Sequence, residues 1–347
     1  MNVLLLTPTT DPKVKAGTET YNDYLKRIFP QMKIISNDDV KPSKFDWFSP
    51  LKEPLKVRQV NMFVKKNIEE LKPDLVITNG MYGWNLKEKE VNCPIMNVSH
   101  GTFAGLGGNA IKRFSLEYLR TRFIYAFFEK QSAKNATLVI SNSHLTRELN
   151  KKYYGIESTT VHNPVDTKTF KPVKKKNARK KLGLNAVKKI CLFVGRQEYQ
   201  KGFDLFEKIA ELKPDIDFIS ITFPKTKSKV KNIKSVSVKD KEELSLYYAA
   251  ADLVIFPSRF EGFGFVPIEA LACNTPVIST ITGVIKEINI KGLNKINTTE
   301  IAEWDREIDK ILKQKVSQNT DVFVREHFGY EKFKRNILML AGDLTKN

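Results

Sequence analysis

Residues 257–269 read Pro-Ser-Arg-Phe-Glu-Gly-Phe-Gly-Phe-Val-Pro-Ile-Glu. Two carboxylates, Glu261 and Glu269, have seven residues between them, and Gly262 and Gly264 follow the first. An apolar run ends at Pro257, and a helical pattern opens near Pro267. Proline is tolerated there because its missing N–H costs little in a first turn. Two glycines let the backbone come close to a ligand, and a helix N-terminus offers N–H groups to an anion. The loop therefore suits a phosphorylated ligand. Glu269, expected in the first turn of that helix, is placed to accept hydrogen bonds from a ribose diol, as acidic residues do in other doubly wound nucleotide sites. Paired carboxylates also serve glycoside hydrolysis, but two acids flanking one glycine loop frame one ligand rather than face each other across a cleft. For Glu269 the plain structural alternative is an acid favouring the helix dipole.

Three further positions have the right chemistry. The apolar run 189–194 leads into Gly195 and Arg196, and Lys201-Gly202 opens the next helical pattern. Two cations and a helix N-terminus then meet at one strand's carboxyl end. Arginine grips two oxygens at once, whereas lysine acts as a point charge. His100 closes the apolar run 95–99 and precedes Gly101, again at a carboxyl strand end, where doubly wound sheets bind ligands. Asp215-Ile-Asp217 has the form of a metal-holding pair, but it leads into the run 218–222 and so stands at a strand entrance, the wrong end for a ligand. No required metal is expected.

These residues need a scaffold of alternating strands and helices. Short aliphatic runs at 3–7, 33–36, 74–78, 95–99, 137–141 and 159–162 read as strands buried on both faces. Helical patterns at 18–29, 55–71, 111–134 and 145–154 lie between them, with Thr18 a candidate cap. The second half repeats the scheme. Its strands are expected at 189–194, 217–222, 235–238, 253–256 and 276–279, and its helices at 203–212, 241–251, 266–273 and 299–313. Helices 321–327 and 330–344 close the chain. The fold class is α/β: two parallel sheets with right-handed crossovers, hence two doubly wound domains.

The chain has 347 residues, 58 Lys+Arg against 39 Asp+Glu and a formal net charge of +19. That length corresponds to about two domains. Three cysteines make no disulfide framework and fit a reducing compartment. The apolar N-terminal run is short for a signal peptide, and no run reaches the roughly 18 apolar residues of a membrane span. A soluble cytoplasmic protein is expected. The basic excess would suit nucleic acid, anionic lipid or an anionic small molecule. Nucleic acid is disfavoured, because no basic-aromatic stacking motif or helix-turn-helix emerges. Segment 168–189 is rich in Lys and Arg and has no acid, which reads as a solvated linker and an exposed helix. In segment 111–134, Lys112, Arg113, Arg120 and Arg122 interleave with Phe114, Leu116, Leu119, Phe123, Ile124, Phe127 and Phe128. A domain helix with one buried face is the favoured reading. A helix lying on the anionic inner face of a membrane is the other.

The stretch Glu261-Gly-Phe-Gly-Phe-Val-Pro-Ile-Glu269-Ala-Leu-Ala-Cys-Asn-Thr-Pro-Val resembles the E-x7-E signature of retaining glycosyltransferases of family 4, which have the GT-B fold. The resemblance extends to Tyr247-Tyr-Ala-Ala-Ala-Asp252, Val194-Gly-Arg196 with Lys201-Gly202, Asn163-Pro-Val-Asp166, Ser99-His100-Gly101-Thr102, Ser141-Asn-Ser143 and the Gly17 loop. It departs at Ala16, at Asn274 where the family has glycine, at 282–284 in the glycine-rich turn, and at Phe223-Pro224-Lys225.

The resemblance implies two Rossmann-like domains facing a central cleft: 1–166 on the acceptor side, 167–328 binding a nucleotide-sugar donor, and 329–347 crossing back to the first domain. It implies transfer of a hexose-type sugar, with retention, from a UDP-sugar or next a GDP-sugar to a glycan, glycolipid or lipid-linked acceptor, with no cofactor and no metal. Glu269 matches the ribose-binding glutamate and Glu261 the glutamate near the donor sugar. Gly262, Phe263 and Gly264 would reach the sugar and diphosphate, with Gly17 also on the donor. Arg196 and Lys201 would neutralise the diphosphate as its bond to the sugar breaks. His100 would contact the donor sugar. Retaining enzymes of this fold have no agreed protein nucleophile. The alternatives are a GT-B-like sugar-nucleotide epimerase or hydrolase, and a non-catalytic or nucleic-acid-binding relative.

Overall fold

The computed structural model describes residues 1–10, 17–40, 51–111, 113–222, 227–314 and 319–346. Ala16, Lys112 and the segment 223–225 lie outside them. The chain forms two compact units, Met1–Asn163 with Phe333–Asn347, and Pro164–Lys332.

The first unit holds a six-stranded parallel sheet: β1 (Val3–Thr7), β2 (Lys33–Ser36), β3 (Leu75–Asn79), β4 (Ile95–Ser99), β5 (Leu138–Ser141) and β6 (Thr159–Thr160), in the order β2-β1-β3-β4-β5-β6. Every residue of β1, β3 and β4 is buried, as unbroken aliphatic runs require when helices cover both faces. The second unit repeats the architecture with β7 (Ile190–Val194), β8 (Asp217–Ile221), β9 (Ile233–Val236), β10 (Leu253–Phe256), β11 (Val277–Thr280) and β12 (Leu293–Ile296). Their order is β12-β11-β10-β7-β8-β9, all parallel. This is the α/β, doubly wound pair expected from the sequence. In each sheet the strand order reverses direction once, between β1 and β3 and between β7 and β10. A doubly wound sheet opens a crevice for ligands at that reversal, outside the carboxyl strand ends.

Several boundaries differ from the sequence reading. Thr18 is not a cap, since the first helix already includes Gly17. The pattern at 55–71 is two helices, Lys52–Lys66 and Ile68–Leu71, divided at Asn67. β9 starts two residues earlier than expected, because Ile233 rather than Val238 supplies its buried residue. β12 gave too weak a signal: only Leu293 and Ile296 are buried in this edge strand. The pattern at 111–134 starts late. Ser115 caps a helix that opens at Leu116, widens into a π-helical segment over Arg120–Tyr125 and continues over Ala126–Asn135. A separate helix, Phe103–Ala110, precedes it. Gly107 lets the two pack closely, since a Cβ there would lie 3.0 Å from the Arg122 Cβ.

The acid-free segment 168–189 has a structural job. It holds the helix Lys175–Leu182, whose Arg179 is buried. Arg179 donates to Asp252 Oδ2 at 2.7 Å and to the carbonyls of Ala250, Ala186 and Lys188, each at 3.0 Å. Lys175 Nζ reaches Asp252 Oδ1 at 2.7 Å, and the Ile190 N–H donates to the same carboxylate. Asp252 thus fastens the segment to the entrance of β7, and the nearby cations hold its carboxyl below the usual range against the opposing effect of burial. All three cysteines are buried and unpaired.

Candidate functional site

In the second unit the loops after β7 and β10 flank the reversal of strand order. Each leads into a helix whose N-cap is a left-handed glycine. Gly202 (φ +70°) precedes the helix Phe203–Leu212, and Gly264 (φ +89°) precedes Phe265–Ala272. Glycine adopts this conformation without steric cost, and it brings no side-chain oxygen to cap the helix. Two helix N-termini without side-chain caps therefore stand at the crevice, where an anion can take the place of the cap.

The two loops are fastened together. A Cβ on Gly202 would lie 2.0 Å from the Pro257 carbonyl oxygen, so only glycine permits this approach. The Arg259 N–H donates to the Gln200 carbonyl at 2.8 Å, and Gln200 Nε2 donates to the Phe260 carbonyl at 3.1 Å. Arg259 grips Asp204 at 2.7 and 2.8 Å and lies 3.7 Å over the Tyr199 ring. The glycine loop is fixed on its other side as well. The Glu261 N–H donates to Thr282 Oγ1 at 2.9 Å, and the Val284 N–H donates to the Phe263 carbonyl at 2.8 Å. Gly283 (φ +55°) admits that contact, since a Cβ there would lie 2.2 Å from the Phe263 oxygen.

This frame holds the charged groups. The Glu261 side chain is 11% exposed, and its Oε1 lies 2.7 Å from Lys201 Nζ and 2.7 Å from the Ser258 hydroxyl. Arg196 is more open and pairs with Glu198 at 3.0 Å. Glu269 is buried, and the Tyr248 hydroxyl donates to its Oε2 at 2.8 Å. Burial pushes its carboxyl up, partly offset by that hydrogen bond and by the charge of Lys241. Glu269 is the fifth residue of its helix, so it stands in the second turn, not the first. The helix dipole is not what holds it, and Tyr248 is. Asp217 stands at the entrance of β8 beside Lys188, at the end of the sheet opposite these loops. Asn274, the position where the family resemblance leads one to expect glycine, has φ +57°. Asparagine tolerates this conformation, and its Oδ1 accepts from Thr320 Oγ1 and the Asp321 N–H, each at 3.0 Å.

In the first unit His100 follows β4. Its Nε2 lies 2.8 Å from Asn79 Oδ1 at the end of β3. Asn79 Nδ2 donates to Asn22 Oδ1 at 2.8 Å and to Thr7 Oγ1 at 3.1 Å, and Asn22 Nδ2 donates to Thr7 at 2.9 Å. The Asn79 oxygen is thereby the acceptor, so His100 carries its proton on Nε2 and offers Nδ1 as an acceptor. Burial lowers its pKa to about 4, leaving a neutral ring at pH 7. Tyr21 packs edge-on against His100 (4.9 Å) and against Phe333 of the last helix (5.4 Å). Gly17 opens the first helix, which carries Tyr21 and Asn22.

Sequence reasoning missed the groups that hold these residues, Ser258, Thr282, Tyr248 and Asn79, and also the buried Glu129. Tyr248 and Thr282 lie in motifs already noted, but nothing local gives their partners, which are 21 residues away in both cases. Glu129 is buried on the helix Ala126–Asn135 and accepts from the Tyr154 hydroxyl and the Phe103 N–H. Burial pushes its pKa to about 7, against the pull of those donors.

Two family models match the chain. "Glycosyltransferase Family 4" covers residues 2–169, and "Glycosyl transferases group 1" covers residues 174–327. The chain is 27% identical over 256 residues to the D-inositol 3-phosphate glycosyltransferase of Mycobacterium sp. (strain KMS), covering 68% of this chain and 57% of the relative. It is 34% identical over 154 residues to the lipopolysaccharide core biosynthesis mannosyltransferase LpsB of Rhizobium meliloti (strain 1021), covering 39% of this chain and 44% of the relative. The chain thus spans about half the length of these curated relatives. Sucrose-phosphate synthase from Thermosynechococcus elongatus superposes with a TM-score of 0.80 at 19% identity, covering 99% of this chain and 98% of that one. Anabaena Alr3699/HepE, solved in complex with UDP-glucose, gives 0.75 at 16% identity, covering 99% and 100%. At these identities the structures speak to the fold alone. One family model falls on each doubly wound half, the structural neighbours share both halves, and the chain belongs to the family 4 glycosyltransferases of the GT-B fold.

Proposed function

We propose that this chain moves a hexose-type sugar, with retention, from a UDP-sugar (a GDP-sugar next) to a glycan, glycolipid or lipid-linked acceptor, without a metal. The observation that carries this reading is the Lys201–Glu261 pair, at 2.7 Å, between two glycine-capped helix N-termini at the strand reversal. Cations and helix termini suit a diphosphate, and the adjacent carboxylate suits sugar hydroxyls. Lys201 and Arg196 would take the diphosphate, and the amides of Gly262, Phe263 and Gly264 would line it. Glu261 would hold the donor sugar, Glu269 the ribose, and neutral His100 would accept a sugar hydroxyl at Nδ1, with Gly17 in the same donor set. The leaving diphosphate gains charge as its bond breaks, and fixed positive groups stabilise it without reorganising. In support, a solved neighbour is a complex with UDP-glucose, and the matched relatives are named as glycosyltransferases.

The test is an NMR assay of the product's anomeric configuration, with and without EDTA. The expected result is an α-linked product from an α-linked donor at an unchanged rate in EDTA. An inverted product, release of free sugar or nucleotide-sugar epimerisation alone, or EDTA inactivation reversed by Mg²⁺ would contradict the corresponding part. Glu269→Ala is expected to weaken nucleotide binding by about tenfold to a hundredfold, the loss of charge-assisted hydrogen bonds to a diol. Titration calorimetry checks this, and an unchanged dissociation constant would remove the ribose assignment.

A further inference from the structure

The helical run 116–135 buries one face and carries exposed apolar side chains on the other. One face is buried, through Thr121, Tyr125, Ala126, Glu129, Ser132 and Ala133. The other carries Leu116, Leu119, Phe123 and Phe127, exposed by 86%, 44%, 59% and 54%. The spacing of three, four and four residues keeps them on one stripe. The π-helical segment, with more residues per turn, helps the later steps of four stay aligned. Phe114, 86% exposed, extends the stripe at φ +65°, a conformation rare for a bulky residue. A water-facing helix normally turns polar residues outward, and a contiguous exposed apolar patch marks an interaction surface.

The charge around the stripe identifies its partner. Between 113 and 134 lie Arg113, Arg120, Arg122, Lys130 and Lys134, against Glu117 and the buried Glu129. Arg122 and Lys152 lie near the Tyr153 ring, at 4.5 and 5.3 Å, and Arg120 lies 5.4 Å over the Tyr125 ring, which leaves Arg113, Lys130 and Lys134 as the cations not held on a ring. Among the described residues, Arg113, Lys130 and Lys134 form no ion pair with an acid. A second copy of this chain would bring a net charge of +19 against +19, which opposes pairing through a basic rim. Exposed aromatic and leucine side chains on a segment whose charges are mostly cationic suit the boundary between acyl chains and anionic headgroups.

We propose that the stripe Phe114–Phe127 seats the first unit on an anionic lipid bilayer, its apolar side chains in the acyl boundary and its cations on the headgroups. No described helix is long and apolar enough to cross a membrane, so the contact is interfacial. The inference is independent of the donor reading, because the stripe lies outside the loops that carry it.

The test is sedimentation of the full chain with phosphatidylcholine vesicles, with and without phosphatidylglycerol. The expected result is binding to the anionic vesicles, at least about tenfold weaker to phosphatidylcholine alone and weakened by salt. The triple variant Leu116→Ser/Phe123→Ser/Phe127→Ser should lower partitioning by about a hundredfold, with the melting temperature and donor binding kept. Should the triple variant not melt cooperatively, Arg113→Glu/Lys130→Glu takes its place, with at least a tenfold loss expected. Equal partitioning of wild type and variant, no preference for anionic lipid, or a dimer that the variant abolishes without any vesicle binding would overturn the proposal.

Discussion

Replacing Glu261 by alanine is expected to lower turnover by about a hundredfold to a thousandfold, the range for removing one preorganised electrostatic group from an active site. The carboxylate is nearly enclosed and holds Lys201 and Ser258 in place through one oxygen. On the proposed reading, its loss removes a contact to the donor sugar and also frees Lys201, paired with it at 2.7 Å, to move away from the diphosphate. Both effects act on the bond-breaking step, so kcat should fall more than nucleotide affinity. Glu261→Gln separates the two roles. It keeps an acceptor oxygen for Ser258 and loses the charge that fixes Lys201. Steady-state kinetics beside a melting curve checks the result. Wild-type turnover in a folded Glu261→Ala protein would remove Glu261 from the site.

Gly202→Ala is expected to destabilise the second unit by about 3 kcal/mol or more, through backbone strain together with a clash. The position combines φ +70° with a would-be Cβ 2.0 Å from the Pro257 oxygen. Backbone cannot rotate away as a side chain does, so the loops after β7 and β10 would have to part. Gly183 is the control. It has φ +62° with nothing within 4 Å of its would-be Cβ, so Gly183→Ala should cost only about 1–2 kcal/mol of left-handed strain. Denaturant unfolding of both variants isolates the contact. Equal losses would mean that the close approach of the two loops is not what glycine serves at 202.

The sheet architecture was legible because buried parallel strands are written as unbroken aliphatic runs. Val3–Leu6 and Leu253–Phe256 have that form, and both are fully buried. Edge strands carry less of the signal, which is why β12 was missed and β9 misplaced. The candidate site was legible where its parts are local. The glycine loop and its two acids lie within one strand-loop-helix unit, so the glycines and the following helix N-terminus can be read together as suited to a phosphorylated ligand. What sequence reasoning missed was long-range. The Tyr248–Glu269 bond, the Thr282 contact to the Glu261 amide and the chain His100–Asn79–Asn22–Thr7 join separate crossover units.

Part of the positive charge is committed within the fold. Arg179 and Lys175 belong to Asp252, and Lys213 belongs to Asp305 and Asp309. These cations are structural, although Arg179 and Lys175 sit in a run that reads in sequence as solvated. The helix 116–135 shows the opposite case. Its pattern predicts one buried face, which it has, but only the packed structure reveals that the apolar residues on the opposite face remain uncovered.

The central claim is that the loop Glu261–Glu269 binds a nucleotide sugar. Its most direct test is a thermal-shift panel of UDP-, GDP- and ADP-sugars against the wild-type chain and Glu269→Ala. A ligand that binds only the folded state raises the melting temperature. The account predicts a rise with a UDP-sugar, or next a GDP-sugar, that is strongly reduced in Glu269→Ala. No rise with any nucleotide sugar, or an equal rise in both proteins, would contradict it.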